Sequence, residues 1–339
     1  MTILGIESTC DETGVAVVSD GVKVIASEIS SSVDFQKKFG GVIPEIAARE
    51  QVKVIIPLVG EVLGKCPIEK IDAIAVSYGP GLIGPLVVGV ETAKALALAY
   101  NKRLIGVNHL VGHVYANWLT VDGSRFTEKP IKKIPKFPLI ALIVSGGHTD
   151  LVLVKSHGDF KLLGSTLDDA CGEAFDKVAK RLGLSYPGGP EIERAAKQFT
   201  VDGSRLTVKL PRPMIASGDF NFSFSGLKTA VATAVGQQTN IDNLRGEIAF
   251  EFQNAVIDVL VTKTLKAAKT FGAKSIVVGG GVAANNFLRE ALIDMADVDV
   301  FFPPKNFSVD NGAMIAAAAF FKQDFVDPLK LTPDSSLHF

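Results

Sequence analysis

Cysteine is scarce. Cys10, Cys66 and Cys171 are the only three among 339 residues, and no two stand in a CxxC spacing. An odd, sparse set argues against a disulfide framework and suits a reducing cytoplasm, so each thiol is read as a small buried apolar residue. Long apolar runs are missing as well. The longest, such as residues 313–321, fall far short of a membrane span. The first apolar segment meets Glu7 at once and has no basic lead, which argues against a secretory signal. A cytoplasmic protein with no membrane contact is the expectation. Neither sign of charge is in excess, since the formal net charge is −1. Any nucleic-acid contact must then come from a local basic patch. No GxxxxGK followed by Ser or Thr occurs, which disfavours a P-loop ATPase.

What is present is core material. Hydrophobic residues make up 47% and charged residues 21%, enough for two domains of ordinary size. The chain starts as strand 3–6, polar turn 7–13, strand 14–19, an Asp20-Gly21 hairpin and strand 22–29. The same grammar returns at 139–144, a glycine turn at 145–149, 151–154, a His157-Gly158-Asp159 turn and 160–163. A repeated supersecondary unit predicts two related lobes. Residues 122–138, with three Pro and five Lys or Arg, read as an exposed linker between them. The string Thr-Val-Asp-Gly-Ser-Arg occurs at 120–125 and again at 200–205, and nothing gives it a function. Elsewhere, strands are predicted at 73–77, 104–107 and 275–278, with a strand-like 298–302. Helices are predicted at 87–100, 110–119, 168–182, 225–235, 244–271, 285–295 and 312–321. This alternation is that of an α/β protein with helix-covered sheets.

Four features carry candidate chemistry. First, His109 and His113 stand at i and i+4 after a buried strand, so one helix face presents both imidazoles to one ion. A zinc protease needs Glu directly after the first His, and that position is Leu110. Two His leave the ligand set incomplete, and Asp310, in a polar turn before the last helix, is the chosen carboxylate. Second, the Ser145-Gly146-Gly147-His148-Thr149 and Gly279-Gly280-Gly281 turns follow buried strands and suit a nucleotide. The second lacks the GxGxxG spacing of a Rossmann dehydrogenase. Third, Glu7, Asp11 and Glu12 crowd one turn. A solvated turn is the bland reading, and a cation site or general base the functional one. Asp168, Asp169 and Asp176 form a second acidic group, with Asp169 and Asp176 expected on one helix face, and Glu173 is read as a salt-bridged surface residue. Fourth, Tyr186-Pro187-Gly188-Gly189-Pro190 reads as a rigid loop.

Eight motifs occur in order: Gly5 to Thr13, His109-Leu110-Val111-Gly112-His113, Val144 to Thr149, Gly172-Glu173-Ala174-Phe175-Asp176-Lys177, Tyr186 to Pro190, Phe222 to Lys228, Gly279 to Asn285, and Asp310-Asn311-Gly312-Ala313-Met314. Together they closely resemble the universal tRNA threonylcarbamoyladenosine transferase family, of the bacterial TsaD type. The resemblance implies a two-lobed actin-like fold, shared with sugar kinases and heat-shock chaperone ATPases. The expected division is 1–120, completed by a helix at 311–325, and 121–310. It implies transfer of a threonylcarbamoyl group from threonylcarbamoyl-adenylate to the N6 amine of the adenosine 3′ of a tRNA anticodon, with release of AMP. One divalent iron or zinc ion would fall on His109, His113 and Asp310. The adenylate contacts would fall on Ile143, Val144, Ser145, Gly146, Gly147, Asp176, Gly189, Glu193 and Asn285, where relatives often carry Asp in place of Glu193. Asp11 and Glu12 are placed to take the amine's proton.

For the tRNA, Lys37, Lys38 and Arg49 flank one loop, and Lys129, Lys132, Lys133 and Lys136 stud the linker. The resemblance also implies either a related partner subunit with a small ATPase or a homodimer. The apolar faces of the first lobe are the candidate docking surface. A small-molecule kinase or carbamoyltransferase of the same fold and a nucleotide-gated binding module are the competing readings.

Overall fold

The computed structural model describes residues 1–37, 41–121, 134–199, 207–236 and 244–339. Most of the expected linker, with Lys129, Lys132 and Lys133, lies outside these residues, as do Lys38 and the second Thr-Val-Asp-Gly-Ser-Arg string. The chain divides into two compact units. Unit 1 comprises Met1–Pro135, Ser156–Asp159 and Phe302–Phe339, and unit 2 comprises Lys136–Lys155 and Phe160–Phe301. Asp310 therefore shares a unit with His109 and His113.

Unit 1 contains strands β1 (Thr2–Glu7), β2 (Glu12–Ser19), β3 (Lys23–Ser31), β4 (Ala73–Gly79), β5 (Arg103–Asn108) and β6 (Thr120–Val121). Its helices are α1 (Val33–Gln36), α2 (Pro44–Lys65), α3 (Ile83–Ala99) and α4 (His109–Tyr115). The sheet runs β12-β5-β4-β1-β2-β3-β6, where β12 is Phe325–Val326. β1 is antiparallel to β2 and parallel to β4. Side chains alternate across β1 with period two. Leu4 and Ile6 join Val15, Val17, Ile55, Val59, Val62 and Val90 in one apolar cluster with α2 and α3. The opposite face is covered by the alanine-rich C-terminal helix, Gly312–Lys322. It lies there on bare backbone, because a Cβ on Gly5 would sit 2.1 Å from the Gly312 carbonyl oxygen.

Unit 2 contains β7 (Leu139–Val144), β8 (Thr149–Ser156), β9 (Asp159–Ser165), β10 (Ser275–Gly279) and β11 (Asp299–Phe301), in the order β11-β10-β7-β8-β9. β7 is antiparallel to β8 and parallel to β10, so this sheet is mixed too. Its helices are α5 (Cys171–Arg181), α6 (Gly188–Gln198), α7 (Ser225–Gly236), α8 (Arg245–Thr270) and α9 (Asn286–Met295), and the C-terminal helix of unit 1 is α10. Both sheets match the predicted α/β class, and the two strand–turn–strand units stand where the repeat put them.

The differences are local. The helix expected from 168 begins only at Cys171, because the Asp168 carboxylate accepts bonds from Ser223, Phe224 and Ser225 at the start of α7. Asp169 therefore precedes the helix and shares no face of it with Asp176. The Tyr186–Pro190 stretch is less of a loop than expected, since α6 starts at Gly188. The helix expected at 110–119 is α4 followed by a 3-10 turn at Ala116–Trp118. Cys66 and Cys171 are buried, Cys10 is partly so, and all three thiols are free. Among the described residues no helix is long and apolar enough to cross a membrane.

Candidate functional site

In unit 1 the site begins with two helix caps. Asn108 ends β5, and its side-chain oxygen accepts from Leu110 N at 2.8 Å, so the helix starts at His109. Asn311 does the same for α10, accepting from Met314 N at 2.9 Å, which leaves Asp310 just outside that helix. Gly5, Gly14 and Gly312 let the start of α10 press onto β1 and β2. A Cβ on Gly14 would lie 2.6 Å from Gly312 N. Asp310 Oδ1 thereby sits 3.2 Å from His113 Nε2 and 3.7 Å from His109 Nε2. One ligand atom from each of the three lies within 4.8 Å of the others.

The two imidazoles differ in their surroundings. His109 Nδ1 lies 3.0 Å from Glu7 Oε2 and 3.2 Å from Thr9 Oγ1. Burial pushes the His109 imidazole pKa down, but the Glu7 and Asp310 carboxylates and the bond to Glu7 outweigh it and raise it to about 9. His113 is fully buried, and neither ring nitrogen has a hydrogen-bond partner among the described residues. Its approach to Asp310 is an ion-pair distance without hydrogen-bond geometry. A buried imidazole left in this way is destabilising by about 1–3 kcal/mol. Two buried imidazoles facing one carboxylate are the donor set of a divalent cation, and these residues fit one.

The acidic turn is not the solvated turn of the bland reading. Glu7 is the fully buried last residue of β1, and its Oε1 accepts from Thr9 N at 2.7 Å. Asp11 and Glu12 are half-buried. Burial, then the charges of Asp310 and Asp11, and a side-chain hydrogen bond with Asp11 push the Glu12 carboxyl well above the usual carboxylate range. Gln51 of α2 locks the turn from beneath. Its Nε2 donates to the carbonyls of Ser8, Cys10 and Glu12 at 3.3, 3.0 and 3.2 Å. No local pattern marks Gln51, and it escaped sequence reasoning, as did the pairing of Glu7 and Thr9 with His109.

Sequence reasoning also passed over Gly79-Pro80-Gly81-Leu82-Ile83-Gly84, a GxGxxG spacing between β4 and α3. Its glycines are closed to a ligand. A Cβ on Gly79 would meet the Asp334 carbonyl oxygen at 1.9 Å, and one on Gly81 would meet that of Thr9 at 2.7 Å. The glycines here permit chain packing rather than phosphate approach.

In unit 2 the expected adenylate residues form a closed circuit. Ile143 and Val144 end β7 and are buried, while Gly146 and Gly147 are exposed and have open space beside them. Gly172 N, at the start of α5, donates to Ser145 O at 3.0 Å. Asp176, on α5, accepts from Gly188 N at 2.6 Å, which ties α5 to α6 beside Gly189. Glu193, on α6, accepts from Asn286 Nδ2 at 2.6 Å and pairs with Lys197. Asn285 caps α9 through Leu288 N and donates to Gln253 at 2.9 Å. Gly280 adopts φ +90° against the Val144 carbonyl, which returns the circuit to β7. Glu173 pairs with Lys177 at 2.7 Å, as the surface reading expected.

The chain is similar to known proteins. A family model for tRNA N6-adenosine threonylcarbamoyltransferase matches residues 23–317. A protein of that name from Dehalococcoides mccartyi is 48% identical over 336 residues, covering 96% of this chain and 97% of the relative. Another from Bacillus subtilis is 46% identical, covering 94% and 89%. Among solved structures, component A of the Acidaminococcus fermentans (R)-2-hydroxyglutaryl-CoA dehydratase aligns with TM-score 0.54 at 14% identity, covering 95% of this chain and 98% of that one. HypF from T. kodakarensis aligns with TM-score 0.60 at 13% identity, covering 94% of this chain and 47% of that one. At such identities the structural likeness establishes the actin-like fold alone. The family model and the near-full-length relatives go further: this chain belongs to the TsaD family of tRNA N6-adenosine threonylcarbamoyltransferases.

Proposed function

We propose that this chain transfers the threonylcarbamoyl group of threonylcarbamoyl-adenylate to the N6 amine of the adenosine 3′ of the anticodon in tRNA. The amine nitrogen forms a bond to the carbamoyl carbon, the carbon–oxygen bond to phosphate breaks, and AMP leaves. The donor carbonyl is already activated, so the protein supplies positioning and charge stabilisation rather than a nucleophile. The observation that carries this reading is the convergence of His109, His113 and Asp310 in a chain of this family. The partnerless nitrogens of His113 support a divalent ion there, and two His with one carboxylate suit iron or zinc. When bound, such an ion supplies Lewis acidity to the transferring group.

Glu12, with Asp11, takes the proton that the amine loses. A raised pKa makes it a stronger base than an ordinary carboxylate in its ionised form, and that form accepts the proton. Gly146 and Gly147 offer backbone N–H groups to the adenylate, with Ile143, Val144, Ser145, Asp176, Gly189, Glu193 and Asn285 shaping its place. The tRNA follows local basic groups, of which Lys37, Arg49 and Lys136 are described. The exposed apolar residues Val52, Ile56 and Ile83 of α2 and α3 support docking of a related subunit or a second copy. A small ATPase joins the related subunit in the heteromeric arrangement. We place the reaction in the cytoplasm with its tRNA. Reconstitution with tRNA and threonylcarbamoyl-adenylate, read by mass spectrometry of the adenosine, tests the proposal. No modified product, with candidate partner subunits present, would sink it.

A further inference from the structure

The two histidines are held by unlike means, and that asymmetry assigns a role to a residue outside the ligand set. His113 is fixed by packing, with neighbouring Gly112 pressed against Ile315 and Met314 of α10. His109 is fixed by a carboxylate. Glu7 closes β1 opposite Gly14 of β2, so its backbone is set by the sheet. Its side chain is 0% exposed and both oxygens are engaged, Oε1 by Thr9 N at 2.7 Å and Oε2 by His109 Nδ1 at 3.0 Å. A carboxylate is rarely buried for packing alone, because leaving water is costly unless a partner compensates it. An ionised carboxylate only accepts, so the hydrogen between it and Nδ1 belongs to the imidazole. A neutral imidazole protonated at Nδ1 has its lone pair at Nε2, the nitrogen that faces Asp310 at 3.7 Å.

We propose that Glu7 is a positioning residue that fixes the His109 tautomer and ring orientation, so that Nε2 is presented to a divalent cation. The inference rests on the metal reading given above and deepens it. Ligating histidines commonly donate their other N–H to a carboxylate, which orients the ring and raises its basicity. Glu7 and Asp310 thus place one carboxylate at each nitrogen of the His109 ring. Among the described residues no carboxylate pairs with His113 Nδ1, and the two rings are therefore expected to respond differently to substitution of their neighbours.

The test uses the full chain and zinc alone as probe. Zinc affinity is measured by chelator competition for the parent, Glu7→Gln and His113→Ala. The expected result is that Glu7→Gln keeps one-to-one binding at saturation but weakens it by about 10- to 100-fold. Nitrogen-15 spectra of histidine-labelled, zinc-loaded parent give a second readout that needs no variant to fold. They are expected to show His109 protonated at Nδ1 and metallated at Nε2. Glu7→Gln binding zinc within about twofold of the parent overturns the proposal. So does a parent spectrum with the opposite tautomer. If His113→Ala loses zinc while Glu7→Gln does not, only the role of Glu7 fails. If the parent binds no stoichiometric zinc or iron, the metal reading falls and takes this proposal with it.

Discussion

The turn between β1 and β2 and the turn between β7 and β8 occupy the same place in one repeated grammar, yet they are built in opposite ways. The first is packed with side-chain chemistry. Glu7 and Thr9 hold His109, Gln51 grips three carbonyls, and the flanking Gly5 and Gly14 are pressed against α10. The second is nearly bare. Ser145 N bonds His148 O, His148 N bonds the Ser145 hydroxyl, and Gly146 and Gly147 stand beside open space. Glycine thus serves two ends. In the first unit it lets one part of the chain reach another, and in the second it leaves open space beside the backbone.

The sharpest way to break this contrast is to make one substitution in both places. Gly5→Val drives a side chain into the α10 backbone and is expected to destabilise the fold by about 3 kcal/mol or more. Gly146→Val is expected to stay within about 0.5 kcal/mol of the parent. Equal melting points for the two variants would end the packing account of the first turn. Next in size is the chemistry of the first turn. Glu12→Gln is expected to lower kcat by about 100-fold with KM little changed, measured as modified adenosine per minute. Full turnover by both Glu12→Gln and Asp11→Asn would remove the turn from the reaction.

The second turn is probed by ligand affinity. Gly146→Val is expected to raise the KM for threonylcarbamoyl-adenylate about tenfold by blocking backbone donors, with kcat less affected. The smallest effect concerns the hairpins that follow. Asp20-Gly21 turns with positive φ at both residues, whereas His157 stacks on Phe321 at 4.3 Å and meets the Tyr115 hydroxyl at 3.0 Å. Burial lowers the His157 imidazole pKa, so the unfolded chain takes the proton more readily. The resulting stability is present above about pH 6.5 and lost as pH falls through the lower folded value. Melting of the parent is expected to fall more steeply from pH 7 to pH 5 than melting of His157→Phe. Parallel curves would show that this stacking does not depend on the neutral ring.

Much of the site was legible because its signals are local. The i, i+4 spacing of His109 and His113, Leu110 in place of a protease's Glu, and Asp310 just before a capped helix are all read within one or two turns of chain. The strands at β1, β2, β7 and β8 are read from short apolar runs bounded by turn residues. Asp168 misled because its carboxylate caps α7, 55 to 57 residues away, rather than opening α5. Gln51 was invisible because a single amide on a helix has no pattern. The GxGxxG stretch of residues 79–84 shows the opposite failure, a motif whose spacing suggests a phosphate loop and whose packing closes it.

Sequence alone was enough for the family, the two strand–turn–strand units and the helical pair of imidazoles, since these depend on residue order and short-range geometry. Tertiary structure alone decided that Glu7 is a buried partner of His109, 102 residues away, and that α10 lies close enough to deliver Asp310. It also decided which glycines are closed by chain and which remain open. Burial and long-range contact are properties of the packed chain, where the same carboxylate or glycine takes its role from whatever the fold brings against it.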